Sequence, residues 1–152
     1  MSLHASEITS AVVRVAGEIP VDITAFHVGT PEQEAVLRMG ELLIYVRSAA
    51  LAERVAQLWR QARPICAALP HVAGTSRLHL PVRVSLVGVI FRLGGEPACT
   101  VVSVPARPGV AQPTHVRIQV GPLVWEVCDR AAWHTITKAW ATVHRHLIDP
   151  PR

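Results

Sequence analysis

Two similar stretches decide the fold of this chain: QEAVLRMGELLIYVRS at residues 33–48 and THVRIQVGPLVWEVCD at residues 114–129. They align without a gap at a constant offset of 81 residues, and the match extends to residues 62 and 143. Each copy is typical of a strand, a tight turn, a second strand, a helix cap and a helix. Internal similarity at one fixed spacing indicates a duplicated structural unit. The sequence therefore predicts two copies of a β-hairpin followed by a helix.

Apolar residues alternate along both predicted hairpins, as a sheet with one buried face requires. A two-residue turn at Gly40-Glu41 puts Met39 opposite Leu42, and glycine at the first central position suits a type II′ turn. Gly121-Pro122 is a less favourable turn dipeptide at the same place in the second copy. This register predicts twelve core-facing positions: Ala35, Leu37, Met39, Leu42, Ile44, Val46, Val116, Ile118, Val120, Leu123, Trp125 and Val127.

Each hairpin leads into an amphipathic helix through a side chain that can cap it, Ser48 in the first copy and Asp129 in the second. Trp133 and Trp140 share the apolar face of the second helix at the spacing of core residues, so we assign both to the core. Pro64 is expected to kink or end the first helix.

Further strands are expected before each hairpin, at residues 11–15 and 19–28 and at residues 81–91 and 98–104. Each repeat then has the order β-β-β-β-α. The predicted fold class is α+β, with antiparallel sheets related by pseudo-twofold symmetry and covered by two main helices. We expect a single domain over residues 1–152, built of repeats at residues 8–69 and 78–148 joined by a linker at 70–77. One repeat alone would be marginally stable.

The composition is that of a compact globular protein, since 50% of the 152 residues are hydrophobic and 17% are charged. Three cysteines without C-x-x-C spacing argue against a disulfide framework and against most structural zinc sites. No uncharged run approaches the roughly 20 apolar residues of a membrane span. The chain also starts without a basic segment followed by an apolar one. We expect a cytoplasmic protein with no cofactor, no metal and no membrane partner.

Positive charge is concentrated in the second half of the chain. Residues 1–76 carry a net charge of −1 and residues 77–152 a net charge of +5. All basic residues except Lys138 are arginines, which is also what a GC-rich genome would produce. Arg107, Arg117 and Arg130 are the candidates for contacts to nucleic-acid phosphates. Glu126 lies opposite Arg117 in the predicted hairpin and would partly neutralise it.

Cys128 and His115 are the best candidates for catalysis. The predicted register puts them opposite each other on the outward face of the second hairpin. A thiol near a helix N-terminus and a histidine can have a lowered pKa and act as a nucleophile. The alternative is that these positions carry ordinary outward-facing side chains of a sheet.

Val36, Leu43 and Tyr45 form an apolar row on the nominally outer face of the first hairpin. Such a row exposed on a monomer usually marks an interface, so it predicts self-association. The alternative is that a loop such as residues 64–80 covers it.

The stretch VGPLVWEVCDRAAW at residues 120–133, followed by Trp140, resembles small accessory proteins of GC-rich actinobacteria and their plasmids or integrative elements. That group has no known activity, and the resemblance implies a mobile-element accessory protein without assigning any functional residue. The first copy departs from the pattern, with Ser48-Ala49 in place of Asp-Arg.

Three functions are therefore considered from the sequence. The first is a non-enzymatic binding or assembly module that self-associates. The alternative is a nucleic-acid-binding protein that uses the basic second half. The third is a small thiol-dependent enzyme.

Overall fold

The computed structural model describes residues 10–73, 89–109 and 113–148. It confirms the α+β class, with two four-stranded sheets and helices packed on them. The strands are β1 (Ala11–Val15), β2 (Val21–Phe26), β3 (Glu34–Met39), β4 (Leu42–Val46), β5 (Val89–Leu93), β6 (Cys99–Val104), β7 (His115–Val120) and β8 (Leu123–Val127). The helices are α1 (Ala49–Gln61), α2 (Arg63–Cys66) and α3 (Arg130–Ile148).

The hairpin register is as predicted in both copies. In the β3–β4 hairpin Met39 pairs with Leu42, and in the β7–β8 hairpin Val120 pairs with Leu123. All twelve predicted core-facing positions are buried. Gly40 has a φ of 57° and Gly121 a φ of 55°, so both turns place glycine where a type II′ turn needs a positive φ.

Each sheet contains a parallel strand pair that the sequence did not predict. One sheet has the order β1-β8-β7-β6 and the other β2-β3-β4-β5. Strand β1 of the first half pairs in parallel with β8, and β5 of the second half pairs in parallel with β4. The prediction of purely antiparallel sheets is therefore corrected at one pair in each sheet. The two halves therefore exchange one strand each: β1 pairs with the hairpin of the second half, and β5 pairs with the hairpin of the first half.

Both predicted helix caps are confirmed. Ser48 Oγ accepts a hydrogen bond from Leu51 N at 3.1 Å, and Asp129 Oδ1 accepts one from Ala132 N at 2.8 Å. The first helix ends at Gln61, and Pro64 lies in the first turn of the short helix that follows. Residues 81–88 of an expected strand lie outside the described residues.

The core lies between the sheets and the helices. Helices α1 and α3 pack against each other, α3 also contacts β2 and β3, and α1 contacts β4. The indoles of Trp59, Trp125 and Trp140 are fully buried and meet edge to face. Trp133, which we assigned to the core, is only partly buried, and its Nε1–H donates to Trp59 O at 2.8 Å.

No helix within the described ranges has the length and apolar character needed to cross a membrane.

Candidate functional site

The predicted apolar row lies on the outer face of the β2-β3-β4-β5 sheet, which we call the β2–β5 face. Val36 pairs across the sheet with Tyr45, and Leu43 pairs with Ile90 on the edge strand. Val36, Leu43 and Tyr45 are half-buried, whereas Ile90 is 61% exposed and Phe26, at the opposite edge, is 48% exposed. Apolar side chains therefore extend across all four strands of this face.

Charged side chains of both signs surround these apolar residues. Glu34 Oε1 lies 3.0 Å from Arg92 Nη1 and 3.6 Å from Arg47 Nε. The Arg92 guanidinium also lies over the Tyr45 ring, 4.7 Å from its centroid, which is cation–π geometry. Asp22 and Arg38 are paired in register on the neighbouring strands. The face thus has no strong excess of either charge.

The described part of the 64–80 segment does not run over this face. Pro70 O and His71 O accept hydrogen bonds from Arg130 N and Ala131 N, which ties the segment to the start of α3. Residues 74–80 lie outside the described residues.

The three arginines predicted to contact phosphates lie toward one end of the strands in the β1-β8-β7-β6 sheet. Arg107 follows the carboxyl end of β6, Arg130 follows the carboxyl end of β8, and Arg117 is the third residue of the antiparallel strand β7 between them. All three side chains are exposed, and among the described residues none has an acidic partner. Nucleic-acid binding through them stays a prediction.

Glu126 pairs in register with Arg117, as predicted, but its carboxylate contacts other groups. Its Oε1 accepts hydrogen bonds from Arg14 Nε at 3.2 Å and Nη2 at 3.1 Å. Its Oε2 lies 3.1 Å from His115 Nε2, close enough for an ion pair with a protonated ring but not aligned as a hydrogen bond. Among the described residues Glu126 forms no direct ion pair with Arg117, because β1 brings Arg14 next to the same carboxylate. Partial neutralisation of Arg117 by this cross-strand charge stays a prediction.

His115 and Cys128 are not on an exposed face. His115 is fully buried, with its Nδ1 2.9 Å from Pro113 O, and Cys128 is also buried. Burial raises the pKa of the Cys128 thiol to about 11, and the nearby Arg14 only partly offsets this. The expected lowering of that pKa is wrong, because desolvation disfavours the thiolate. A buried, protonated thiol lacks the exposure and the ionisation that a nucleophilic cysteine needs.

Asp129 is more than a helix cap. Its carboxylate is fully buried, and Oδ2 accepts hydrogen bonds from Gly17 N at 2.8 Å and Ala73 N at 2.9 Å. Together with the bond from Ala132 N, it satisfies three backbone donors from three separate parts of the chain. We assign Asp129 a structural role.

A cavity of about 660 Å³ lies beside this carboxylate and was not predicted. Its lining residues come from three segments of the chain: Gly17 and Glu18; Arg63, Cys66, Ala67, His71 and Val72; and Arg130, Ala131, Trp133, His134 and Thr135. No sequence pattern indicated it, because its walls come from three segments that are far apart along the chain. Within the described ranges, no group of three or more His, Cys, Asp or Glu side chains could hold a metal ion.

Comparisons of this chain with protein-family models, with curated proteins and with solved structures found no match.

Proposed function

We propose that this protein is a non-enzymatic assembly module that self-associates through the β2–β5 face. The observation that carries this proposal is the apolar row of Val36, Tyr45, Leu43 and Ile90, with Phe26 exposed on the opposite edge strand. Contiguous apolar surface of this kind, rimmed by polar side chains, is uncommon on monomers and usually marks an interface.

A second copy of the chain is the occupant that the charges favour. In an isologous contact the same patch meets itself, so the patch must not repel its own charges. Asp22 and Glu34 offset two of the three positive charges of Arg38, Arg47 and Arg92 on this face, and the Glu34–Arg92 pair is already formed. A nucleic acid would instead need a clear excess of positive charge.

The test is a pair of matched substitutions on the two sheets. Ile90→Arg puts a charge at the most exposed apolar position of the proposed contact, where it would be buried without a partner against the second copy. Val102→Arg is the control, because Val102 is similarly exposed, at 51%, on β6 of the other sheet. Both residues are largely exposed, so neither change should unfold the monomer.

We expect light scattering at micromolar concentration to give an oligomer for the wild-type protein and for Val102→Arg, and a monomer for Ile90→Arg. Thermal unfolding of both variants at low concentration checks that each is folded. A monomeric wild-type protein would overturn the proposal, as would an Ile90→Arg variant that remains oligomeric.

A further inference from the structure

The cavity beside Asp129 is separate from the β2–β5 face and shares no residue with it. Three segments form it: the turn after β1, the stretch from α2 to Val72, and the first turns of α3. Its volume of about 660 Å³ is within the range of pockets that hold small molecules, roughly 300–1,000 Å³.

Hydrogen bonds fix the walls of this cavity. Asp129 holds the backbone at Gly17 and Ala73, and the peptide groups of Pro70 and His71 bind the start of α3. Trp133, which lines the cavity, is anchored through Nε1 to Trp59 O. The cavity is therefore formed before any ligand binds, which reduces the ordering cost of binding.

The lining combines an apolar wall with positive charge. Cys66, Ala67, Val72, Ala131 and Trp133 supply the apolar surface. Two arginines, Arg63 and Arg130, and two histidines, His71 and His134, line the cavity together with one acidic residue, Glu18. Among the described residues no acidic side chain lies within ion-pair distance of either arginine.

The first backbone N–H groups of α3 already have hydrogen-bond partners within the protein and are not free to bind a ligand. The N–H groups of Arg130, Ala131, Ala132 and Trp133 all have partners, in Pro70 O, His71 O, Asp129 Oδ1 and Asp129 O. Recognition of an anion here must come from the side chains, above all from the planar, bidentate guanidinium groups.

From this lining we propose that the cavity binds a small organic anion, in which a carboxylate or phosphate group is attached to a flat apolar body. Arg63 and Arg130 bind the anionic group. The apolar body packs on Trp133 and Val72, where the indole offers a stacking surface.

The probe for this site is anilinonaphthalene sulfonate, a fluorescent aromatic anion. We expect saturable binding of one molecule per chain. Three competitors that share one aromatic ring identify the group recognised: phenyl phosphate, benzoate and uncharged benzyl alcohol. We expect at least one of the two anions to displace the probe at about tenfold lower concentration than benzyl alcohol, since a charged hydrogen bond adds about that factor. The better anion shows whether phosphate or carboxylate is preferred.

Matched arginine substitutions locate the bound probe. Arg63→Gln and Arg130→Gln should each weaken probe binding by about three- to tenfold, because each removes one charged donor. Arg60→Gln is the control, since Arg60 is exposed on the neighbouring α1 and does not line the cavity. Ile90→Arg should leave this binding unchanged, which separates it from probe bound on the β2–β5 face.

Either of two results would overturn the proposal. One is that Arg63→Gln and Arg130→Gln bind the probe as Arg60→Gln does. The other is that benzyl alcohol competes as well as both anions.

Should a variant fail to fold, iodide quenching of the wild-type protein decides instead. Trp133 is the one partly exposed tryptophan, since the other three are fully buried. Compared with free tryptophan amide, its fluorescence should be quenched more by iodide and less by caesium, and phenyl phosphate or benzoate should protect it. The same ratio of iodide to caesium quenching as in free tryptophan amide would reject the site.

Discussion

At the scale of single residues, Asp129 joins parts of the chain that are far apart in sequence. One carboxylate caps α3 and binds the backbone at Gly17 and Ala73, which lie after β1 and after α2. Ser48 occupies the equivalent place in the first copy, but its hydroxyl is exposed and caps only α1, through Leu51 N. Each copy therefore has a helix-capping side chain, but only the one in the second copy also binds the backbone of distant segments.

We predict that Asp129→Asn lowers the free energy of unfolding by about 3 kcal/mol. An amide keeps one acceptor oxygen, so its NH₂ group must face at least one buried backbone donor, and each unsatisfied group costs about 1–3 kcal/mol. Ser48→Ala is the matched control and should cost about 1 kcal/mol, as the loss of an ordinary cap does. Urea denaturation monitored by tryptophan fluorescence measures both. Equal losses in the two variants would contradict the tertiary role of Asp129.

At the scale of elements, the two hairpins have the same register but different surroundings at their turns. A Cβ atom on Gly40 would meet nothing within 4 Å, whereas one on Gly121 would lie 3.1 Å from Pro97 Cβ. Both glycines have a positive φ, which costs other residues about 1–2 kcal/mol. Only Gly121 is also needed for close packing.

The matched pair Gly40→Ala and Gly121→Ala separates these two effects. Gly40→Ala should lower the free energy of unfolding by about 1 kcal/mol, from backbone strain alone. Gly121→Ala should lower the free energy of unfolding by about 1 kcal/mol more, because the new methyl group would lie only 3.1 Å from Pro97 Cβ and Pro97 would have to shift. The measurement is the urea midpoint of each variant. If Gly121→Ala were no less stable than Gly40→Ala, the contact with Pro97 would be unimportant.

At the scale of the whole molecule, the two halves are linked by exchanged strands. Strand β1 pairs with β8, β4 pairs with β5, and α3 packs on β2 and β3 of the first half. The Arg14–Glu126 ion pair joins residues 112 positions apart in the sequence. Each half therefore completes a sheet and the helix layer of the other.

We predict that a fragment of residues 1–73 does not fold alone, since it lacks β5, β8 and α3. Circular dichroism should show no cooperative unfolding transition for the fragment. Mixing it with a fragment of residues 74–152 should restore one, because the missing strands and helix are then present. A cooperative transition in the first fragment by itself would show that the exchanged strands are dispensable.

The sequence by itself determined the hairpins, their register, the helix caps and most of the core. These features depend on local rules: apolar residues alternate with the period of a strand, and glycine occupies a turn that needs a positive φ. The outer-face position of Val36, Leu43 and Tyr45 follows from the same alternation, so that candidate surface could be predicted.

Only the tertiary structure decided which sheet each outer strand joins, and that choice changed the expected sites. By pairing with β8, β1 brings Arg14 to Glu126, so that Arg14 and not Arg117 binds this carboxylate. His115 and Cys128 are buried instead of exposed, so burial raises the pKa of the thiol. The cavity likewise needs three distant segments to meet. Strand partners and cavities depend on contacts between distant residues, and alternation along one strand carries no information about them.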